Sequence, residues 1–462
     1  MTGLIASLER PHKLNTSQHT TATTGRFPSS PLLSRRILHH MTPQELIDHI
    51  QSGPWKLNLN FPLRFRRRTR SNPWCSFDDL LQALRLNKTI REVVCYSHGT
   101  LCITETDWIR LMEAFGSIRG LKKIGVAWRN GSHDFHPLQA VARAVDSSMT
   151  LQALSITSFG NNPSDPAGEI LLVQSLQQHG TLEVFYWGGV PTQTRTRYPL
   201  LTAVDATLAT SIHTVGVSNV NLTAGDIQSL VRSPRLKLLE LKGRVDSWLV
   251  IADEIRNGRI QLEELVLVRT MVSSASETAE AIESITSAIE YDSSLRSLIL
   301  RSPTGFTDEM GVALAMALTV NTSLNRIQLQ DGYKRSDGRQ PLHPPQSLGA
   351  ETYKAFATLS KTRAGKITLG LPSPRSDAND ETRKQWDLLR IEDSLNRAGV
   401  GKLVASNQPT WEEWIHALDA LNGNNEDEDS HKFLLSCLYS MLQLNPSICQ
   451  GDTTASDSLS NM

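Results

Sequence analysis

An apolar triplet with the spacing i, i+3, i+5 recurs nine times along the chain. Its first members lie 24 to 33 residues apart. A period of this length is typical of stacked repeats, each too small to bury its own apolar face. The triplets are Ile90-Val93-Cys95, Leu121-Ile124-Val126, Leu151-Leu154-Ile156, Leu182-Phe185-Trp187, Ile212-Val215-Val217, Leu236-Leu239-Leu241, Leu262-Leu265-Leu267, Leu295-Leu298-Leu300 and Leu324-Ile327-Leu329.

The segments between most triplets place apolar residues at helical spacing. Each repeat is therefore predicted to pair a strand around its triplet with an amphipathic helix. The predicted helices are Phe77–Leu86, Asp107–Phe115, Leu138–Val145, Glu169–Gln177, Trp248–Ile255, Glu280–Ile289 and Glu309–Leu318.

In two repeats the segments that lead from the helix to the strand have similar sequences. They are Ala83-Leu84-Arg-Leu-Asn87-Lys-Thr-Ile90 and Ala317-Leu318-Thr-Val-Asn321-Thr-Ser-Leu324. This wording resembles the ribonuclease-inhibitor-type leucine-rich repeat, roughly A-L-x-x-N-x-T-L-x-x-L-x-L. The resemblance covers about residues 55–330. It implies an α/β leucine-rich-repeat solenoid, a right-handed horseshoe with a parallel concave sheet and convex helices. The Asn is expected to close the helix in a left-handed or turn conformation.

The chain departs from that family at one position. The family usually has Asn or Cys three residues after the last triplet member, where it bonds the neighbouring turn. No polar ladder of that kind is predicted here. The residues found there are His98, Arg129, Phe159, Val190, Val220, Arg244, Thr270, Pro303 and Gly332.

The ends of the chain differ from the repeats. Residues from Trp55 to Phe65 alternate apolar and polar, which predicts an edge strand in a capping unit. Residues from Leu395 to Gly399, together with two later segments, are similar to the C-terminal ends of uncharacterised leucine-rich-repeat proteins abundant in photosynthetic protists. The expected division is a disordered tail or transit peptide at 1–42, with Met41 as an alternative start, a capping unit at 43–75, the solenoid at 76–370, a C-terminal helical cap at 381–446 and a disordered tail at 447–462.

Composition excludes several classes of partner. Lys+Arg and Asp+Glu are both 47, so no overall field attracts nucleic acid or an anionic membrane. No apolar run approaches the roughly 20 residues that span a bilayer. Five cysteines without CxxC spacing favour a reducing compartment, and a cytoplasmic location is predicted. The alternatives are nuclear import through Arg64–Arg70, or an organelle if residues 1–40 are a transit peptide.

The sequence holds no familiar catalytic pattern. GxSxG, HExxH, GxGxxG and CxxC are absent, and Gly365-Lys366-Ile367 has Ile where a phosphate-binding loop needs Ser or Thr. His133 and His136 do not supply the three or four converging ligands of a metal site. The prediction is a protein without enzymatic activity, cofactor or metal.

In a parallel sheet the residues that flank the triplet members face the concave side. A protein partner is predicted to bind there, because this face mixes aromatic, aliphatic and charged residues. The chosen partner-binding residues are Tyr186, Glu240, Val266, Ile299 and Arg301.

Two other functions remain open for such a solenoid. One is a substrate-receptor subunit of a ubiquitin ligase, because the segment Met41–Ile50 partly resembles the opening of an F-box and could dock a ligase component through the helix at 42–51. The other is a GTPase-activating protein on the same fold. The leading prediction is an interaction scaffold.

Overall fold

The computed structural model describes residues 43–61, 77–98, 104–129, 137–159, 165–188, 211–218, 222–243, 246–269, 275–291, 293–302, 305–331, 347–363 and 366–397. Contacts divide the chain into two compact units, with the main boundary after Ser247. The segments at 1–42, 62–76 and 398–462, with the Arg64–Arg70 run and most of the expected C-terminal cap, lie outside the described residues.

The first unit alternates helices and strands. Its helices are α1 (Pro43–Gln51), α2 (Phe77–Leu86), α3 (Glu105–Ser117), α4 (Pro137–Ser147), α5 (Pro166–Gln178) and α6 (Ala224–Arg232). Its strands are β1 (Lys56–Phe61), β2 (Glu92–His98), β3 (Lys123–Arg129), β4 (Ala153–Phe159), β5 (Val184–Gly188), β6 (Thr214–Ser218) and β7 (Leu238–Gly243). From β1 to β7, successive strands pair in parallel in chain order.

The second unit repeats the plan. Its helices are α7 (Asp246–Arg256), α8 (Ala275–Ile289), α9 (Asp308–Val320), α10 (Ala350–Thr362) and α11 (Asp380–Arg397). Its strands are β8 (Glu264–Arg269), β9 (Ser297–Ser302), β10 (Arg326–Asp331) and β11 (Thr368–Gly370), again parallel and in chain order.

The triplets build the core of both units. Ile124 and Val126 lie in register with Leu154 and Ile156 on the next strand, and all four are buried. Helices α1 to α5 pack side by side in chain order, as do α8 to α11, which places each set on one face of its strands. The prediction of an α/β leucine-rich-repeat solenoid is confirmed. The described part of the expected C-terminal cap is α11, which packs against α10.

A ladder of hydroxyl groups joins successive repeats, although not at the position where the family would place its Asn or Cys. In three repeats the residue just before the triplet donates to the carbonyl of the first triplet residue one repeat earlier. Thr150 Oγ1 donates to Leu121 O at 2.8 Å, Thr181 Oγ1 to Leu151 O at 2.9 Å, and Ser294 Oγ to Leu262 O at 3.0 Å. These bonds satisfy strand-entry carbonyls that the sheet leaves without a partner.

The Asn shared by the two matching helix-to-strand segments also bridges repeats. Asn321 Nδ2 donates to Ile289 O at 2.7 Å, while its Oδ1 accepts from Leu324 N at 2.7 Å. Asn87 Nδ2 likewise donates to Ile50 O at 2.6 Å. The backbone of Asn321 is extended, with φ −67° and ψ 129°, so this helix is not closed by a left-handed residue. The side chain, rather than the backbone conformation, explains why Asn stands there.

A histidine takes the same place in another repeat. His179 follows α5 as Asn321 follows α9, and its buried ring Nε2 lies 2.7 Å from Ser148 O. The imidazole therefore donates to the preceding repeat as the amides do. The sequence did not reveal this role of His179, because its position in the repeat matches that of Asn321 but its residue type does not.

Candidate partner-binding face

Each strand has a second set of side chains, which flank the triplet members and point away from the described helices. We call the surface they form the helix-distal face. In the first unit its three columns are Lys56, Glu92, Lys123, Ala153, Val184, Thr214 and Leu238; Asn58, Val94, Gly125, Ser155, Tyr186, Gly216 and Glu240; and Tyr96, Ala127, Thr157, Gly188, Ser218 and Lys242. In the second unit they are Glu264, Ser297, Arg326 and Thr368; Val266, Ile299, Gln328 and Gly370; and Val268, Arg301 and Gln330.

Three charges stand together at the start of the first column. Lys56 Nζ and Lys123 Nζ lie 3.1 and 3.0 Å from the same oxygen of Glu92, Oε1. Burial alone would raise the pKa of the Glu92 carboxyl, but the two ammonium groups together hold it below its ordinary value. Glu92 is therefore ionised, and the group carries two positive charges against one negative charge.

The centre of the helix-distal face in the first unit is built from small residues. Gly125, Ala127, Ser155 and Gly188 fill successive positions on β3 to β5, where larger side chains would rise above the strands. The half-buried ring of Tyr186 lies across Gly216 on β6, where a Cβ would collide with the ring carbons. Gly216 is thus required for the position of the tyrosine ring.

The second unit has an apolar cluster at the corresponding place. Val266, Val268 and Ile299 pack together and are only 5%, 4% and 3% exposed. Arg301 and Arg326 lie near the carboxyl of Glu264, whose pKa is nevertheless raised, because its loss of hydration outweighs their attraction. The cluster therefore has a charged border.

The five predicted partner-binding residues all lie on the helix-distal face, in two groups. Tyr186 and Glu240 lie in one column of the first unit, on either side of Gly216. Val266 and Ile299 are neighbours in register in the second unit, with Arg301 two residues beyond Ile299. Their role in binding stays a prediction.

Sequence reasoning did not select the Lys56–Glu92–Lys123 group. Lys56 belongs to the alternating strand before the first triplet. The alternation of charge from Lys56 to Glu92 to Lys123 is seen only when the three strands are aligned in register. That alignment places Lys56 opposite Glu92, and Glu92 opposite Lys123. Opposite charges on neighbouring positions of one column are the signal that would have found it.

Three tryptophans of the first unit, Trp108, Trp128 and Trp187, serve the core. Trp128, which the sequence left between exposed and buried, is only 2% exposed and meets Trp108 edge to face with ring centroids 6.1 Å apart. Trp187 is buried beside Phe185. These rings stabilise the fold and are not offered to a partner.

Helix α1 is also used by the fold. Its side chains Leu46, Ile47 and Ile50 are buried, and the helix packs against α2. Asn87 binds the carbonyl of Ile50, as described above. The apolar side of α1 is therefore occupied within this chain, and the ubiquitin-ligase hypothesis stays a prediction.

Groups of metal-ligating side chains do not occur among the described residues, and His133 and His136 lie outside them. The search of the described helices for a span that could cross a bilayer finds none.

Comparison with known proteins gives similarities to solved structures. No protein-family model matches the chain, and no curated protein matches it. Among solved structures, the leucine-rich repeat-containing protein LegL7 from Legionella pneumophila is similar with 12% sequence identity and a TM-score of 0.44. The match covers 70% of this chain and 95% of LegL7.

Proposed function

We propose that this protein is a non-catalytic scaffold that binds a protein partner on the helix-distal face of its repeats, in the cytoplasm. The observation that carries the proposal is the contrast between the two sheet faces. The positions that face the helices repeat Leu, Ile and Val from strand to strand, as the fold requires. The helix-distal columns change from Lys to Glu to Lys to Ala in successive strands. The fold does not require this variation. Recognition of a particular partner surface requires particular residues at these positions.

The residue types on this face fit a protein interface. Stable interfaces combine a few aromatic or aliphatic groups with a polar border. In the first unit the half-buried Tyr186 with Glu240 has that composition. In the second unit Arg301 borders the Val266–Val268–Ile299 cluster, which is at most 5% exposed in the free protein. The Asn and Thr/Ser bridges between repeats support assignment to the ribonuclease-inhibitor type.

Affinity capture with the full-length chain tests the proposal. Two variants change the face: Tyr186→Ala with Glu240→Lys in the first unit, and Arg301→Glu in the second. A matched control changes exposed side chains elsewhere, Met149→Ala with Met316→Ala. We expect the wild type and the control to retain the same partner from a native lysate, and at least one face variant to lose it.

Thermal melting of every variant separates loss of binding from loss of folding. If both face variants retain all captured proteins while melting as the wild type does, the helix-distal face is not the binding surface. The scaffold proposal in its present form would then be wrong.

A further inference from the structure

The two lysines beside Glu92 are arranged to receive a second carboxylate. Both ammonium groups lie within 3.1 Å of the single oxygen Oε1, so their nitrogens lie about 6 Å apart or closer. Each ammonium has three donors, and the contact with Glu92 uses one. The remaining donors are available because each lysine side chain is about a third exposed, whereas Glu92 lies beneath them at 10%.

The charge of this group is unbalanced. Glu92 is held ionised by the lysines, so two positive charges face one negative charge, and the sum is +1. One added carboxylate brings the sum to zero. A cationic side chain would raise it to +2 and meet two ammonium groups at short range, which is unfavourable.

A small recess adjoins the lysines. It is lined by Lys56, Glu92, Lys123, Val94, Tyr96, Gly125 and Ser155. Gly125 and Ser155 are small, so they add little bulk beside the lysine ammonium groups. The recess thus places the apolar side chain of Val94 near two ammonium groups.

We propose that this recess binds an acidic side chain, Asp or Glu, of the protein partner, through Lys56 and Lys123. The proposal rests on the proposed function, since it names the chemistry of the partner at one end of the helix-distal face. Charge complementarity selects a carboxylate over a basic or neutral group. The small residues on β3 to β5 leave space for the partner chain beside it.

The test uses the full-length chain and a short fluorescein-labelled peptide that alternates glutamate with alanine, followed by fluorescence anisotropy. The comparison peptide has glutamine in place of glutamate. We expect the glutamate peptide to bind, and the glutamine peptide to bind at least about tenfold more weakly. Binding should weaken between about 0.1 M and about 1 M salt, as screening of exposed charges requires.

Three variants locate the site. Lys56→Gln with Lys123→Gln should weaken binding of the glutamate peptide about tenfold. Glu92→Gln leaves both lysines without compensation and should strengthen binding several-fold, an increase that a merely unfolded variant could not give. The matched control, Lys354→Gln with Lys384→Gln, removes the same charge from exposed positions on α10 and α11 and should leave binding unchanged.

Several results would overturn the inference. They are equal binding of the two peptides, no binding of the glutamate peptide, equal loss in the control variant, or preferential competition by inorganic phosphate. The outcome is separable from that of the proposed function. A captured partner that is lost with Tyr186→Ala and Glu240→Lys but kept with the lysine variant would leave the scaffold proposal standing and remove this one.

Discussion

The ring of Tyr186 lies across the Cα of Gly216, its neighbour in register on the next strand. Gly216→Ala would push its new methyl group into the ring, so Tyr186 must leave its position. We expect a loss of about 1–3 kcal/mol in the free energy of unfolding, as is usual for overpacking. Urea denaturation followed by circular dichroism measures it.

Two further variants decide whether the tyrosine ring causes that loss. Gly216→Ala combined with Tyr186→Ala should be less destabilised than the sum of the single variants, because the collision is gone. Gly243→Ala, where a Cβ would meet nothing within 4 Å, should stay within about 0.5 kcal/mol of the wild type. A strictly additive double variant would contradict the contact.

Asn321→Asp tests the amide bridge between repeats. The change keeps the oxygen that accepts from Leu324 N but turns the donor to Ile289 O into a second acceptor. Two acceptors would then face each other at a position only 1% exposed, and we expect a loss of about 2–3 kcal/mol. The exposed Asn325→Asp is the matched control. Similar urea midpoints for the two variants would show that the bridge does not stabilise the fold.

The buried carboxyl of Glu169 predicts how stability depends on pH. Burial, with a contribution from the charge of Asp165, raises its pKa from 4.5 to about 7. The folded state therefore binds a proton more tightly than the unfolded state. The stabilising contribution of this carboxyl is fully present below the unfolded pKa, is lost as the pH rises through about 4.5 to about 7, and then stays constant. The shift corresponds to roughly 3 kcal/mol.

Replacing this carboxyl isolates its share of the pH dependence. Glu169→Gln stays neutral, so urea midpoints at about pH 5 and about pH 8 should differ less than in the wild type. The exposed Glu113→Gln on α3 should leave the wild-type difference intact. An unchanged pH dependence in Glu169→Gln would refute the assignment.

The thiol of Cys95 is predicted to be inert in the folded protein. It is fully buried in a triplet position, and burial raises its pKa, so the reactive thiolate does not form. Iodoacetamide followed by peptide mass spectrometry should modify Cys95 only after denaturation in urea. Modification under native conditions, at a rate comparable with that of free cysteine, would contradict its placement.

The apolar triplets were sufficient to predict the fold, and less so the ends of its elements. Helix α2 was predicted with the bounds it has, because its apolar spacing runs from the first residue to the last. Helix α8 begins at Ala275, five residues before the predicted Glu280. Its first three residues are Ala, Ser and Glu. They do not form the apolar pattern on which the predicted helix start was based.

The bridges between repeats escaped prediction for a related reason. The family pattern places the bridging Asn or Cys after the triplet, whereas Thr150, Thr181 and Ser294 stand immediately before one. Single hydroxyl residues are common in turns, and only the distance to a carbonyl one repeat away gives them a role. That distance depends on the stacking, which sequence spacing does not contain.

The sequence was sufficient to predict which side of the sheet the candidate residues lie on, but not how exposed they are. Alternation in the strands placed Val266 and Ile299 on the side away from the helices. It could not give their exposure, 5% and 3%, because packing across strands decides it. For the same reason the Lys56–Glu92–Lys123 group emerged only when three strands were set side by side.

The hydroxyl ladder has a consequence for how such a chain can change its length. Each hydroxyl reaches only the repeat before it, and the carbonyl it meets belongs to the backbone, which every repeat possesses. Where a repeat carries Thr or Ser before its triplet, a gene duplication or deletion of one whole repeat therefore leaves that hydroxyl opposite a carbonyl of its new neighbour. An insertion of another size would move the hydroxyl away from that carbonyl, so growth by entire repeats preserves these bonds.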